Sequence, residues 1–274
     1  VGAYISGAIP GKGMNAQQML GVSGDEACRA YLLMNIEPEL DSYNPQRTIK
    51  ALDEAELVVM LSSYKSPHAV SGNYADVLLP VAPFTETSGT FINTEGGVQS
   101  FNGVVPPLGE TRPAWKVLRV LGNMLGVEDF DYDTPEQVRA EILPAGGDIK
   151  GRLANDLKGF VAAIGNGRSQ TQTSGTQRIG EVPIYQADPI VRRAESLQRT
   201  HDAAPPVAWM ADALMEKLGI SAGDEVRIRQ GDGEAQLPAV RDNRLPEGCV
   251  RVAAAHPLTA ALGGMFDEIT VEKL

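Results

Sequence analysis

Cysteine is almost absent from this 274-residue chain: Cys28 and Cys249 are the only two, and they lie far apart in sequence. Two distant thiols cannot supply the ligands of an iron–sulfur cluster, usually four, or of a structural zinc site, so they read as two buried, unlinked thiols. Histidine is equally scarce. His68, His201 and His256 fall in different segments and none has a partner four residues away, so neither a metal pair nor a triad can be read from their spacing. His256, at a strand end before Pro257, is the one histidine kept as a site candidate. There is no Gly-x-Ser-x-Gly elbow and no Gly-x-Gly-x-x-Gly fingerprint. No apolar run approaches the roughly 20 residues needed to span a bilayer, so no direct membrane insertion is expected. Positive charge is also short, with 24 Lys and Arg against 35 Asp and Glu and a formal net charge of -11. That balance repels phosphate backbones and argues against a nucleic-acid partner.

What is present is the composition of an ordinary globular protein, 43% hydrophobic and 22% charged, with a length that predicts about two domains. Tyr31 to Met34 and Leu57 to Leu61 are unbroken apolar runs of the kind found in parallel strands covered on both faces. Between them Asn44 caps a helix that opens on Pro45 and carries Ile49 and Leu52 on its apolar side. A third strand, Val77 to Leu79, ends at Pro80. Strand, helix, strand predicts an α/β lobe. Asn15 caps a short helix through Leu20, and a second short helix is predicted over Asp25 to Ala30. Thr111 is read as the cap of a helix whose stripe of Trp115, Leu118, Leu121 and Leu125 faces the core and which stops at Gly126. Thr134 and Gln137 form a capping box for the next.

From Pro144 to Gln177 the composition turns to Gly, Asn, Ser, Thr and Gln, with a modest helical patch around Leu153 to Ile164. Val182 to Tyr185 reads as an edge strand, and Asp188-Pro189 as a helix start. Beyond Pro205-Pro206 the period changes from 3.6 to 2. A helix ends at Gly219, Glu225 to Arg229 alternates apolar and charged residues, and Gln230 to Gly233 turns a hairpin into Ala235 to Val240. Cys249 to Val252 and Ile269 to Val271 add two strands. The expected organisation is an α/β lobe over 1–143, a linker and excursion over 144–206, and a small, mainly-β barrel lobe over 207–274.

Two motif-like clusters reduce to ordinary structure. Gly7 to Gly13 has the wrong spacing for a phosphate loop and lacks the Ser or Thr after Lys12. Asp129, Asp131 and Asp133 alternate like the opening of a calcium loop, but Thr134 stands where that loop needs glycine, and carboxylates before a helix start are stabilising in any case.

The most informative stretch is Ala75 to Gln99, where the strand Val77 to Leu79 runs into a polar loop bearing Glu86, Gly89-Thr90, Asn93 and Glu95-Gly96-Gly97. Glu86 and Glu95 read as hydrogen-bond acceptors that hold the loop's shape rather than as an acid–base pair. This order of residues resembles the signature of the molybdopterin oxidoreductase superfamily. Within it, Met34 to Asp41 and Arg112 to Leu118 resemble the large iron–sulfur subunit of bacterial complex I, the NADH:quinone oxidoreductase, and the tail resembles the superfamily's double-psi β-barrel.

That resemblance implies an oxidoreductase complex of electron transport, in which iron–sulfur clusters lie in a preceding region and this part is a non-catalytic scaffold without a cofactor, catalytic residue or metal ligand of its own. The implied partners are other subunits of the peripheral arm, on the cytoplasmic side of the bacterial inner membrane. Gly97 stands where superfamily members usually carry an arginine, which removes a donor for an anionic cofactor. The alternative is the C-terminal half of an active molybdopterin enzyme such as a formate dehydrogenase. The chain opens on Val1 in what reads as the middle of a fold, and a fragment is expected.

Overall fold

The computed structural model describes residues 1–10, 13–21, 24–66, 74–143, 149, 151, 153 and 175–274. The chain divides into two compact units. The first comprises Val1–Met19, Val59–Tyr64 and Val77–Ser169; the second comprises Leu20–Val58, Lys65–Asp76 and Gln170–Leu274.

A three-stranded sheet runs in the order β1 (Ala30–Met34), β2 (Leu57–Ser62), β3 (Val77–Pro80), with β2 and β3 parallel and Met60 opposite Leu78. In β2, Val58, Met60 and Leu61 are sealed from solvent. The expectation of strands covered on both faces holds for the central strand, where the consecutive Met60 and Leu61 are both sealed, and is corrected for the edge strands β1 and β3, where Leu32, Met34, Val77 and Leu78 are exposed.

In the first unit, α1 (Gly2–Ile5) and α2 (Ala16–Met19) are single turns. Asn15 and Gln18 exchange reciprocal side-chain to backbone hydrogen bonds at the start of α2. The antiparallel hairpin β4 (Gly89–Ile92) and β5 (Val98–Phe101) sets Gly89 opposite Phe101, and a Cβ on Gly89 would lie 2.5 Å from that ring. Phe101 stacks on Phe91 at 5.2 Å.

Two helices follow in this unit. The longer, α5 (Ala114–Met124), begins at Pro113 without a side-chain cap. Thr111, expected to cap it, instead donates its hydroxyl to the Leu108 carbonyl. Its apolar stripe is only half-buried and Leu125 lies open, a second correction; Phe130 packs on Gly122, in the helix's last turn. Helix α6 (Pro135–Ile142) carries the predicted Thr134–Gln137 capping box. A small core of Ile5, Leu143 and Ile149 gathers Ile92, Val98 and Leu153 around it.

In the second unit, α3 (Pro38–Asp41) precedes α4 (Pro45–Asp53), which is capped by the Asn44 side chain as its sequence requires. The short helix predicted over Asp25 to Ala30 is a 3-10 turn, Gly24–Glu26, and Ala30 already belongs to β1. A closed barrel fills most of the unit, in the order β10 (Cys249–Ala253), β6 (Thr176–Glu181), β11 (Glu268–Lys273), β8 (Glu225–Gln230), β9 (Gly233–Arg241), β7 (Ala208–Met210). The β6–β10 and β7–β9 pairs are parallel and the other four antiparallel. Alternation in β8 turns Val226 and Ile228 inward, where they meet Met210, Leu237, Val250, Val252, Leu262 and Ile269.

Closure has two local requirements. Gly180 in β6 donates to the Met265 carbonyl at 2.7 Å, so close that a Cβ there would meet Met265 backbone. Gly219 ends α9 (Asp212–Leu218) with φ +68, the left-handed stop read from sequence. Strand β6 lies inside the stretch read as linker; the strand expected at Val182 to Tyr185 is displaced onto 176–181, and Ile184–Gln186 is a 3-10 turn. Asp188 caps α7 (Pro189–Arg192) as predicted, and α8 (Glu195–Gln198) follows. Residues 154–164 of the helical patch expected around Leu153 to Ile164, the Gly11-Lys12 turn and His68 lie outside the described residues.

Candidate functional site

Two regions hold the candidate residues, one in each unit. In the first, the loop after β3 is held by Glu86, whose Oε2 accepts from the Leu108 amide at 2.9 Å, while the Val104 amide donates to the Thr85 carbonyl at 2.7 Å. That is the loop-holding role expected of Glu86. Glu95 does not share it. It lies exposed with no hydrogen-bond partner among the described residues, and the hairpin turn is closed instead by Asn93, whose Oδ1 accepts from the Gly97 amide at 2.7 Å. Gly96, at φ +84, lets the chain fold back over Asn93, and a short Asx-type acceptor does the work a longer glutamate cannot reach to do. A Cβ on Gly97 would sit 3.2 Å from the Asn93 amide, so this position is filled by the turn itself.

In the second unit, Arg178 of β6 is 2% exposed inside the barrel. Its Nη1 donates to Gln230 Oε1 (3.2 Å) and the Gly263 carbonyl (3.1 Å), its Nη2 donates to the Ala253 carbonyl (2.9 Å), and its Nε is buried without a partner. Burial pulls its pKa down to about 10, against the opposing pull of Asp267. Gln230 also donates to the Gly264 carbonyl (2.7 Å), and the Gln46 side chain ties the Gln230 and Ala261 carbonyls together. His256 sits on this wall after Ala255, a non-glycine residue at φ +53. Its Nδ1 accepts from the Leu258 amide at 3.1 Å, which makes it the cap of the Pro257–Thr259 turn, and burial lowers its pKa.

Nearby in this unit, Glu37 is buried between Arg192 (2.8 Å) and Arg193 (2.5 Å), and Arg192 also pairs with Asp41. Burial alone would push the Glu37 carboxyl up; the two guanidinium groups outweigh it and hold the carboxyl below its usual range. Glu39 accepts from Ser66 (2.6 Å) and Tyr74 (2.8 Å), and burial beside that carboxylate pushes the Tyr74 phenol up. His201 is fully exposed beside Asp202, Asp131 serves Arg119 and Asn123, and both cysteines are free and half-buried rather than buried. No group of three metal-ligating side chains occurs among the described residues.

Residues 1–124 match the family model described as molybdopterin oxidoreductase, and residues 183–271 match the molydopterin dinucleotide binding domain. The chain carries domains of the molybdopterin oxidoreductase family. A Staphylococcus haemolyticus protein provisionally named a formate dehydrogenase is 30% identical over 146 residues, covering 53% of this chain and 14% of that protein. A similarly named Staphylococcus aureus protein is 30% identical over 128 residues, covering 47% and 12%. The chain therefore corresponds to a minor part of the length of these curated relatives. In fold it resembles the acetylene hydratase of Pelobacter acetylenicus, with TM-score 0.59 and 16% identity over 93% of this chain and 45% of that one.

The barrel of a molybdopterin-oxidoreductase domain is a cofactor-binding fold, contrary to the expectation that nothing here relates to a cofactor. A pterin dinucleotide carries phosphates and asks for free cations or aligned amides. The barrel unit answers poorly. Among the described residues, every arginine of 175–274 is already engaged: Arg227 and Arg229 by Glu234 and Glu272, Arg241 by Asp212, Arg244 by Asp242, Arg251 by Glu181 and Asp242, Arg199 by Glu195, Arg192 and Arg193 by Glu37, and Arg178 by carbonyls. In this structure the barrel unit's arginines are committed to the chain's own groups.

Sequence reading gives no role to Arg178 or the Glu37 cluster, and names Asn93 and Gln230 only as members of their turns. Only the out-of-pattern polarity of Gln177-Arg178 before Ile179 could have signalled the first of these.

Proposed function

We propose that this chain serves as a scaffold within an electron-transferring oxidoreductase, as the C-terminal part of the large iron–sulfur subunit of an NADH:quinone oxidoreductase. The observation that carries this reading is the engagement of the barrel's arginines, Arg178 above all, by groups of the chain itself. An arginine whose N–H groups are held by main-chain carbonyls fixes loop geometry and has little left for a ligand. Gly97 supports the same reading, since the Asn93 turn occupies the place of a cationic side chain. In this role Glu37, Arg192, Arg193 and Asp41 lock one part of the second unit, and Arg178 and Gln230 lock the barrel loops, so that a rigid body is presented to neighbouring subunits. The partners would be peripheral-arm subunits on the cytoplasmic side of a bacterial inner membrane.

A second reading follows from the names of the relatives, that the intact protein is a molybdopterin-dependent formate dehydrogenase. The relatives favour this second reading over the first, which rests on the engaged arginines and Gly97. Electron donors decide between the two. The intact protein in its native complex, assayed with an artificial acceptor, is expected to oxidise NADH and not formate; formate-dependent reduction would replace the first reading with the second.

A further inference from the structure

The first unit holds a cavity of about 520 Å³ that none of the residues discussed above accounts for. It is lined by the face of the β4–β5 hairpin that carries Thr90, Ile92 and Ser100, by Trp115 of α5 and by Val138 and Arg139 of α6. The size falls within the range of small-molecule sites, roughly 300–1,000 Å³, and an apolar body with a few convergent polar groups is the usual character of such sites.

Its polar end is organised. Arg139 Nη1 donates to Ser100 Oγ at 2.6 Å, and Ser100 Oγ lies 3.0 Å from Thr90 Oγ1 across the hairpin. The hydroxyl pair holds the guanidinium by one nitrogen. Among the described residues no carboxylate lies in ion-pair range of Arg139, unlike the arginines of the barrel unit. The remaining N–H groups form the fork that suits a carboxylate. Glu136, one turn earlier on α6, also lines the cavity, and its negative charge disfavours a second anionic group on the ligand. The apolar end is lined by Ile92, Trp115, Val138 and Leu143, while the stacked Phe91 and Phe101 lie on the opposite face of the hairpin.

We propose that this cavity binds a small monocarboxylate with an apolar body, its carboxylate on Arg139 and its ring or chain against Ile92, Trp115 and Val138. The site needs nothing from the barrel unit and is independent of which oxidoreductase the chain serves.

The probe is 4-phenylbutyrate, followed by calorimetry and by the Trp115 indole resonance in nuclear magnetic resonance, using the full chain. Saturable binding is expected in the roughly 0.1–1 mM range that a ligand of this size permits. Replacement of the probe by the neutral 4-phenylbutanamide should weaken binding at least about tenfold, and Arg139→Gln should weaken the acid by a similar factor while leaving the amide almost unchanged. The amide comparison on the unaltered chain holds even if Arg139→Gln perturbs folding. Absence of saturation, equal binding of acid and amide, or a Trp115 signal that does not move would overturn the proposal.

Discussion

In the barrel, Val226, Ile228, Leu237, Val250 and Val252 are sealed from solvent, whereas in the unit that holds the hairpin Phe91, Val104, Leu108, Met124 and Leu125 face outward. The two regions handle polar groups just as differently. Closure pairs both edges of every barrel strand and turns alternate residues into one core, so even a guanidinium inside must be satisfied by the barrel's own carbonyls. The β4–β5 hairpin is a two-stranded sheet with little core of its own, and an arginine beside it is held by a single hydroxyl. A region that satisfies itself is suited to be a rigid body. One that does not is suited to receive something.

The contrast breaks most readily at Leu237. Leu237→Ala should cost about 2–5 kcal/mol by leaving a cavity in the barrel core, while Leu125→Ala, at an open position, should stay within about 0.5 kcal/mol. Denaturant unfolding of the two variants measures this; equal losses would mean that the units are packed alike. Next in size is Arg178→Met, which removes a donor from the Ala253 and Gly263 carbonyls and should cost about 1–3 kcal/mol. Amide exchange should then quicken around residues 253–264 before it does in β8 or β9. Thr134→Ala removes one side of the capping box on α6 and should cost about 1 kcal/mol, read as fraying of that helix alone.

The smallest effect is on acid stability. Arg244, with help from Arg251, holds the Asp242 carboxyl down to about 2, below its ordinary 3.8. A depressed carboxyl contributes stability that is present above its unfolded value and is lost as pH falls toward the folded one. Thermal midpoints should therefore decline between about pH 4 and pH 2, and Asp242→Asn should flatten that limb. A limb of unchanged slope in the variant would assign the acid sensitivity elsewhere. His256 adds a shallower trend at higher pH: its lowered pKa means stability present above the ordinary 6.5 is lost as pH falls below it.

The same contrast explains what the sequence disclosed. Local signals were reliable wherever one short motif decides the geometry: Asn44 and Thr134 as caps, Gly219 as a left-handed stop, the hairpin at residues 230–233, and the alternation of Val226 and Ile228. The α/β class and the barrel were legible for that reason. Long-range choices were not. Nothing adjacent to Thr176 announces that this strand will pair with β10 and β11, and local composition alone assigns it to a linker. Glu95 and Asn93 carry equally polar side chains in the hairpin turn, and only the fold-back over Gly96 decides that Asn93 closes it. Nothing in the sequence marks Arg178 as buried, because burial of a guanidinium among carbonyls of residues 253 and 263 depends on a closure that sequence spacing does not encode.

The central claim, that the barrel's cations serve the chain rather than a cofactor, is tested most directly by the molybdenum and pterin content of the intact protein purified without chelators. Mass-spectrometric metal analysis with fluorescence assay of oxidised pterin should find neither at a meaningful fraction of one per chain. Stoichiometric molybdenum accompanied by pterin would contradict the claim.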